Sequence, residues 1–495
     1  MLDSENRLYV AHAEDKNLYI VPSMANRHGL IAGATGTGKT VSLQVLAETF
    51  SSLGVPCFMA DMKGDLSGIY KPGTKTKFIE KREPEFGVQY TPASYPVHFY
   101  DVYGEQGVQM RVTVKDFGVM LFSRVMSLND TQEGVLTAVF KIAADKNLEL
   151  IDLKDLRAAL NYVGQNAKEF QTNYGNISSA TIGAIQRGLL ALEEQGGDLF
   201  FGEPAFDIND LIDIEKIDGE KKGVISILAA DKLYNNPKLY SAFLMWLLTS
   251  IYNNSPEVGD QEKPRFVFFF DEAHLLFDDA SKALLEQIEK IVRLIRSKGV
   301  GVYFITQCPT DIPEDVLGQL GNKIQHALRA FTPKEQKAVK AVAQAFRKNE
   351  TFDTEKVLLE LETGEALISF LDEKGAPNVV EKAKMLFPQG QIGPISEEER
   401  RVAIKESGLE KKYGEVVDRE SAYEKIIRET ERRQKEEAKK KEEEEAAKKK
   451  KQEEKEKNKK TSSRRSSKPW YSSILTSLLR TFGNKLINSI FSKKK

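Results

Sequence analysis

The 495-residue sequence predicts an α/β fold around a parallel sheet, with a mainly helical insertion and a charged C-terminal tail that is helical or partly disordered. Three observations carry this. Short, wholly apolar runs such as Phe266–Phe270 and Val300–Thr306 suit strands buried on both faces. They alternate with stretches of helical period, the pattern of strand–helix–strand units. An apolar run at 29–32 breaks into a Gly-rich turn and then a helix.

The elements follow in order. Residues 18–21 fit one strand. Gly29 opens the apolar run that ends at Gly33, and Lys39–Ser52 follows as a helix with Val41, Val45 and Leu46 on one face. Residues 55–60 form a second strand ending at Asp61, and 97–100 a third. Strand candidates then become few, so residues 101–215 read as the helical insertion. Strands resume at 223–228. A helix is expected over 237–252, a strand over Phe266–Phe270, an amphipathic helix over 280–296 and a strand over Val300–Thr306. Thr332-Pro333-Lys334-Glu335 reads as a capping box with Pro at the first helical position. Residues 366–370 and 379–385 suggest a closing hairpin. The expected organisation is therefore 1–100 and 216–388 as two parts of one core, 101–215 as the insertion, 389–467 as a charged linker or solvated helix, and 468–495 as a basic amphipathic helix.

Composition removes several classes. Cys57 and Cys308 are the only cysteines, which leaves no disulfide framework and no Cys-based zinc site. The five histidines show no metal-ligand spacing. The first ten residues lack the basic-then-apolar order of a signal peptide. The most apolar stretch, 243–252, is shorter than the roughly 20 residues a membrane span needs. A cytoplasmic protein is expected. Its near-neutral charge hides a division: residues 401–495 hold 29 Lys+Arg against 17 Asp+Glu, whereas residues 1–400 hold 43 against 56. An acidic body argues against a surface that coats nucleic acid, though not against a local basic pore.

The sharpest motif is Gly33-Ala34-Thr35-Gly36-Thr37-Gly38-Lys39-Thr40. Its spacing suits a loop whose amides converge on phosphate oxygens at a helix N-terminus. Gly33, Thr35, Gly36, Thr37, Gly38, Lys39 and Thr40 are the expected ATP contacts. Lys39 would reach the β- and γ-phosphates, and Thr40 would hold Mg²⁺. The second motif is the apolar strand ending in Asp271-Glu272. Asp271 is expected at Mg²⁺ and Glu272 as the base that polarises water. The third is 293–301 with the strand that follows. Gln307 ends that strand and would sense the γ-phosphate. Arg296, at the end of the preceding helix, would serve only a neighbouring subunit, with Arg293 and Arg329 as rivals. Asp61, Lys63 and Asp65 follow the second strand near the same edge, where they would either position water or coupling contacts or form only a polar turn.

Taken together, GATGTGKT, FFFDEAH and RSKGVGVYFITQ resemble the HerA/FtsK branch of P-loop ATPases. DMKGDLSG, SLNDTQEGVL and TPKEQKAVKA resemble more narrowly the YjgR-type group of HerA-like proteins. The resemblance covers about residues 5–388. It implies a RecA-like P-loop NTPase core, a homo-oligomeric ring of hexameric type, ATP hydrolysis between subunits and translocation on duplex DNA. It also implies Arg296 as the trans finger and Gln307 as the sensor. It does not extend to the N-terminal β-barrel of HerA. The letters DEAH at 271–274 also suit a two-lobed helicase, but too little globular sequence follows Phe331 for a second lobe. Two further readings stay open: an ATPase that remodels or positions a protein complex without DNA, and an ATP-binding scaffold.

In the tail, Tyr471, Ile474, Leu475, Leu478, Leu479, Phe482, Leu486, Ile487 and Ile490 recur at helical spacing. Lys468, Arg480, Lys485 and the three terminal lysines surround them without an acid. Such a helix suits an anionic membrane surface, a protein partner or self-association. The first use would put the protein at the inner face of a membrane.

Overall fold

A computed structural model describes residues 1–14, 16–277 and 282–462. The expected amphipathic helix at 468–495 lies outside these residues. The chain divides into two units, Met1–Ile426 and Ile427–Lys495.

The first unit is organised by a twelve-stranded sheet. Its strands are β1 (Leu8–Ala13), β2 (Lys16–Ile20), β3 (Gly29–Ala32), β4 (Cys57–Asp61), β5 (Val97–Asp101), β6 (Val108–Gln109), and then, beyond a separate hairpin of β7 (Ile214–Ile217) and β8 (Glu220–Gly223), β9 (Ile225–Ala229), β10 (Phe266–Phe270), β11 (Val300–Thr306), β12 (Asn322–Gln325), β13 (Glu365–Ser369) and β14 (Glu381–Met385). The spatial order is β2-β1-β14-β13-β12-β3-β11-β10-β4-β9-β5-β6. From β12 to β6 every neighbouring pair is parallel. From β12 back to β2 every pair is antiparallel.

The parallel part is buried on both faces, and period-two alternation assigns each side chain to one of them. Leu30, Phe58, Phe268, Phe270, Val302 and Phe304 point into one cluster, shared with the apolar helix Pro237–Asn254 and the helical insertion. Ile31, Met59, Val267, Phe269, Tyr303 and Ile305 point into the other, where α1 (Lys39–Ser52) contributes Leu43, Leu46 and Phe50. Burying each such aromatic or branched side chain stabilises by about 1.5–3 kcal/mol. The sheet is therefore the stiff frame that holds its C-terminal loops in place.

Between Val114 and Phe200 the chain is helical. Helices Asp130–Asp145 and Leu153–Gln165 each begin with a capping box, at Asn129/Gln132 and Asp152/Asp155. The same device opens Pro333–Gln344, from Thr332 and Glu335.

Three features were not legible in advance. Strand β1 completes a hairpin with β2, and β12 pairs with β3. The sequence of β12, Asn-Lys-Ile-Gln, is mostly polar and acquires its strand geometry from neighbours on both sides. The core also does not end at Pro388. Ile395 and Ala403 join the cluster under α1, and Tyr413 and Ala422 are fully buried in the other. The linker or solvated helix expected over 389–467 therefore begins only after this packed stretch. Helix Ala422–Ser462 carries the Lys/Glu-rich part.

Candidate phosphate-binding edge

All parallel strands run the same way, so the loops after β3, β4, β10, β11 and β12 leave from one edge. Ligands bind at this edge in open α/β sheets.

The loop after β3 is held on several sides by the chain's own groups. Gly33 N donates to Thr306 O at 3.3 Å, and Ala34 N donates to Ala327 O at 2.8 Å. Thr37 is buried, and its hydroxyl donates to Ala34 O at 2.7 Å. Gly364 N donates to Thr37 O at 2.9 Å, and the Thr363 hydroxyl donates to Gly36 O at 3.3 Å. Gly33 has φ +153°, and a Cβ there would lie 2.5 Å from His326 Cβ. Gly38, at φ +112°, turns the chain into α1. Thr35 and Gly36 are exposed at the tip, whereas Lys39 and Thr40 open the helix half-buried. The first amides of α1 have no acceptor within the helix and form the positive end of its dipole.

Lys39 folds back into this loop. Its Nζ donates to Gly33 O at 2.5 Å and to Ala34 O at 3.2 Å. Burial lowers its pKa, against the opposing pulls of Glu272 and Asp271, while Lys63 adds to the lowering. Asp271 follows β10 and is pushed up to about 7, first by burial and then by the charge of Glu272, with Asp61 adding and Lys63 opposing. Lys39, Lys63, Asp61, Asp271 and Glu272 thus share one electrostatic neighbourhood.

Glu272 adopts the left-handed conformation, φ 46° and ψ 50°, which a non-glycine residue holds only at a cost. Its Oε2 is buried and, among the described residues, has no hydrogen-bond partner; His274 Nδ1 lies 3.4 Å away. A buried carboxylate oxygen with no donor fits a bound water. The pairing of an amide-rich loop, a folded-back lysine and two carboxylates fits a nucleotide triphosphate with a divalent cation.

Asp61 has a different task. Its buried carboxylate accepts from the amides of Lys63 at 3.2 Å, Gly64 at 2.8 Å and Leu66 at 3.0 Å, which shapes the turn after β4. That turn leaves Lys63 exposed, with Asp65 half-buried beside it. Gln307 directly follows β11 and is exposed beside Gly33, whose amide is bonded to the preceding residue. Arg296 lies before β11, at the opposite edge. Seven residues of strand, about 20 Å, separate it from Gln307. It cannot reach its own phosphate loop. Its guanidinium lies 3.6 Å from Asp260. Arg293 shares that edge, whereas Arg329 follows β12 and donates to Leu359 O at 3.2 Å.

Sequence reasoning missed His326. It is fully buried under the loop. Its Nδ1 donates to Glu365 O at 2.8 Å, so its Nε2 accepts from the Ser42 hydroxyl, also at 2.8 Å. It ties β13 to the first turn of α1. A lone histidine after a polar strand carries no motif that could have announced this.

Residues 6–493 match the family described as Helicase HerA-like C-terminal. The chain belongs to this family. It is a P-loop ATPase of the HerA/FtsK type. Among proteins similar to this HerA-like chain is the DNA double-strand break repair helicase HerA of Sulfolobus acidocaldarius, 22% identical over 346 residues. That match covers 69% of the chain and 62% of the relative, so the chain spans less than two thirds of that protein's length. Two solved structures share the fold. The plasmid coupling protein TrwB, in complex with ADP and Mg²⁺, is 15% identical with a TM-score of 0.51, over 74% of this chain and 87% of that one. VirB4 of Thermoanaerobacter pseudethanolicus is 14% identical with a TM-score of 0.50, over 78% and 98%. The HerA-like chain has, among its described residues, no helix long and apolar enough to cross a membrane.

Proposed function

We propose that the protein is an Mg²⁺-dependent ATP hydrolase that works as a homo-oligomeric ring motor on duplex DNA. The observation that carries the hydrolase is the convergence of Lys39, Asp271 and Glu272, whose Oε2 is buried, at one sheet edge. In this reading the amides of 33–40 cradle the phosphates and Lys39 turns from the loop carbonyls to the β- and γ-phosphates. Thr40 and Asp271 hold Mg²⁺, which neutralises charge on the phosphate oxygens. Glu272 orients the attacking water and draws off its proton. Gln307 senses the γ-phosphate. Arg296, remote from its own loop, completes the site of a neighbouring subunit.

DNA as the substrate is supported by the family and by the printed name of the Sulfolobus relative. The acidic balance of residues 1–400 favours a second reading, an ATPase that repositions a protein complex, with the basic tail bound to a partner or a membrane surface. An ATP-binding scaffold would not need Glu272. The test is steady-state ATP hydrolysis with and without duplex DNA, beside Lys39→Ala and Glu272→Gln. Turnover that rises several-fold with DNA and vanishes in both variants is the expected result. Turnover indifferent to DNA removes the DNA motor and leaves the second reading.

A further inference from the structure

Strand β12 lies inside the sheet, between β13 and β3. Period-two alternation sends Ile324 into the cluster under α1, so Lys323 and Gln325 take the opposite face. On that face their neighbours include Leu30 and Ala32 in β3 and Leu367 in β13, all apolar and buried. A lysine and a glutamine within such a layer are costly unless something pairs with them.

Both border a cavity of about 430 Å³. It lies where two apolar clusters fail to meet. Leu30 and Ile312 belong to the large one, whereas Val342 belongs to a small separate one with Phe346 packed against it. One wall is the segment 309–318, which follows Gln307, and the other is the end of helix Pro333–Gln344. The chain's own groups leave the two polar side chains unsatisfied. Gln325 is 1% exposed. Its Nε2 donates to His326 O at 2.8 Å, but its Oε1 has no partner among the described residues. The Lys323 ammonium lies 6.0 Å from the centroid of the Phe346 ring, which lines the same cavity. Burial lowers the pKa of Lys323, and no carboxylate offsets that effect. Glu314 is the one carboxylate on the wall among the described residues, and it is exposed.

We propose that this cavity binds a small amphipathic anion with a flat apolar body, an anionic group that pairs with Lys323, and an N–H or O–H donor for Gln325 Oε1. Mostly apolar walls, a few polar groups and a volume of about 300–1,000 Å³ are the usual form of a small-molecule site. An ion pair at a partly buried lysine is screened less than one in open water. The donor removes the cost of the unpaired acceptor. The Phe346 ring beside the ammonium favours an unsaturated body that can stack. The site does not depend on the hydrolase reading, since no residue of the phosphate loop lines it. Its regulatory use does rest on that reading. The wall at 309–318 continues from Gln307, and Gln325 is bonded to His326, which packs under Gly33. An occupant that fixes these walls changes how the edge holds nucleotide, and nucleotide changes the occupant's affinity by the same factor.

The test uses the full chain and anilinonaphthalene sulfonate, which combines an aromatic body, an anionic group and an N–H donor, and whose fluorescence reports binding. Lys323→Met removes the charge and keeps an apolar stem. It also removes a buried cation that lacks a counter-ion, so the thermal midpoint should not fall. Lys323→Arg keeps the charge. Ala345→Phe narrows the cavity from an exposed position on its wall. The expected result is one saturable site per chain, roughly tenfold weaker or more in Lys323→Met, recovered in Lys323→Arg and lost in Ala345→Phe. No saturable site, or one indifferent to Lys323→Met or to Ala345→Phe, overturns the proposal. For the regulatory use, the dye should shift the Michaelis constant for ATP in wild type and not in Ala345→Phe. An equal shift in both, or none in wild type, overturns that use. A chain without ATP turnover fails the hydrolase reading, while the binding result stands on its own.

Discussion

At the residue scale, the loop after β3 depends on side chains packed behind it. His326 fills the space under Gly33 and accepts from Ser42. His326→Ala leaves a cavity and an unpaired buried hydroxyl, at a cost of about 1–3 kcal/mol for the lost partner alone. The expected outcome is a lower urea midpoint together with weaker nucleotide binding, measured by equilibrium titration; an unchanged nucleotide affinity would show that the loop keeps its shape without this prop. Glu48, in the middle of α1, gives a pH prediction. Its carboxylate accepts from Gln389 N at 2.6 Å and Gly390 N at 3.0 Å, yet burial pushes it up to about 7. The folded chain thus binds this proton more tightly than the unfolded chain. The group's contribution to stability is full at pH below the usual carboxylate range and is lost as pH rises towards 7. The nearby Met1 ammonium, lowered to about 5 by burial, titrates in the opposite sense. The readout is therefore the difference between wild type and Glu48→Gln, which should shrink or reverse between pH 5 and pH 7.5 in denaturant titrations.

At the element scale, the stretch after β14 behaves as part of the core. Glu48 anchors its start, Ile395 N donates to Ser67 Oγ at 3.1 Å, and Arg400 lies 4.7 Å over the Phe99 ring. Tyr413 packs against Phe206 at 4.9 Å and receives a hydrogen bond from Arg111 at its carbonyl. Tyr413→Ala should cost about 3–5 kcal/mol, the range for removing a large buried aromatic. A chain ending at Ile426 is expected to unfold cooperatively, and one ending at Pro388 is expected to lose its cooperative transition, both read by circular dichroism on heating. The segment also braces the turn that carries Lys63, through Ser67 and through the ion pair of Lys71 with Glu399. Packing after Pro388 therefore reaches the functional edge.

At the scale of the whole molecule, the parallel sheet separates two sets of charged groups. Lys39, Asp271 and Glu272 gather at one edge, and Arg296 with its basic neighbours at the other. An arginine that cannot serve its own site can serve another copy's. Mixing Arg296→Ala with Lys39→Ala protein should therefore restore ATP turnover above the sum of the two alone. A mixture no more active than its components would remove Arg296 from the trans role. Glu272→Gln should lower turnover by about 10²–10⁴-fold, the usual contribution of a general base, while nucleotide binding persists.

Residue pattern alone set the frame: α1, β10 and β11 lie at the residues where their apolar periodicity put them. This was legible because a strand buried on both faces and a loop that wraps phosphate each demand side chains that little else would use. Short-range pattern could not reveal β12, His326 or the packed stretch after Pro388. Each is stabilised by partners far away in sequence, as the bond from Ser42 to His326, 284 residues distant, makes plain. Which charges share an edge emerges from the folded sheet, because strand order, not spacing along the chain, sets which loops meet.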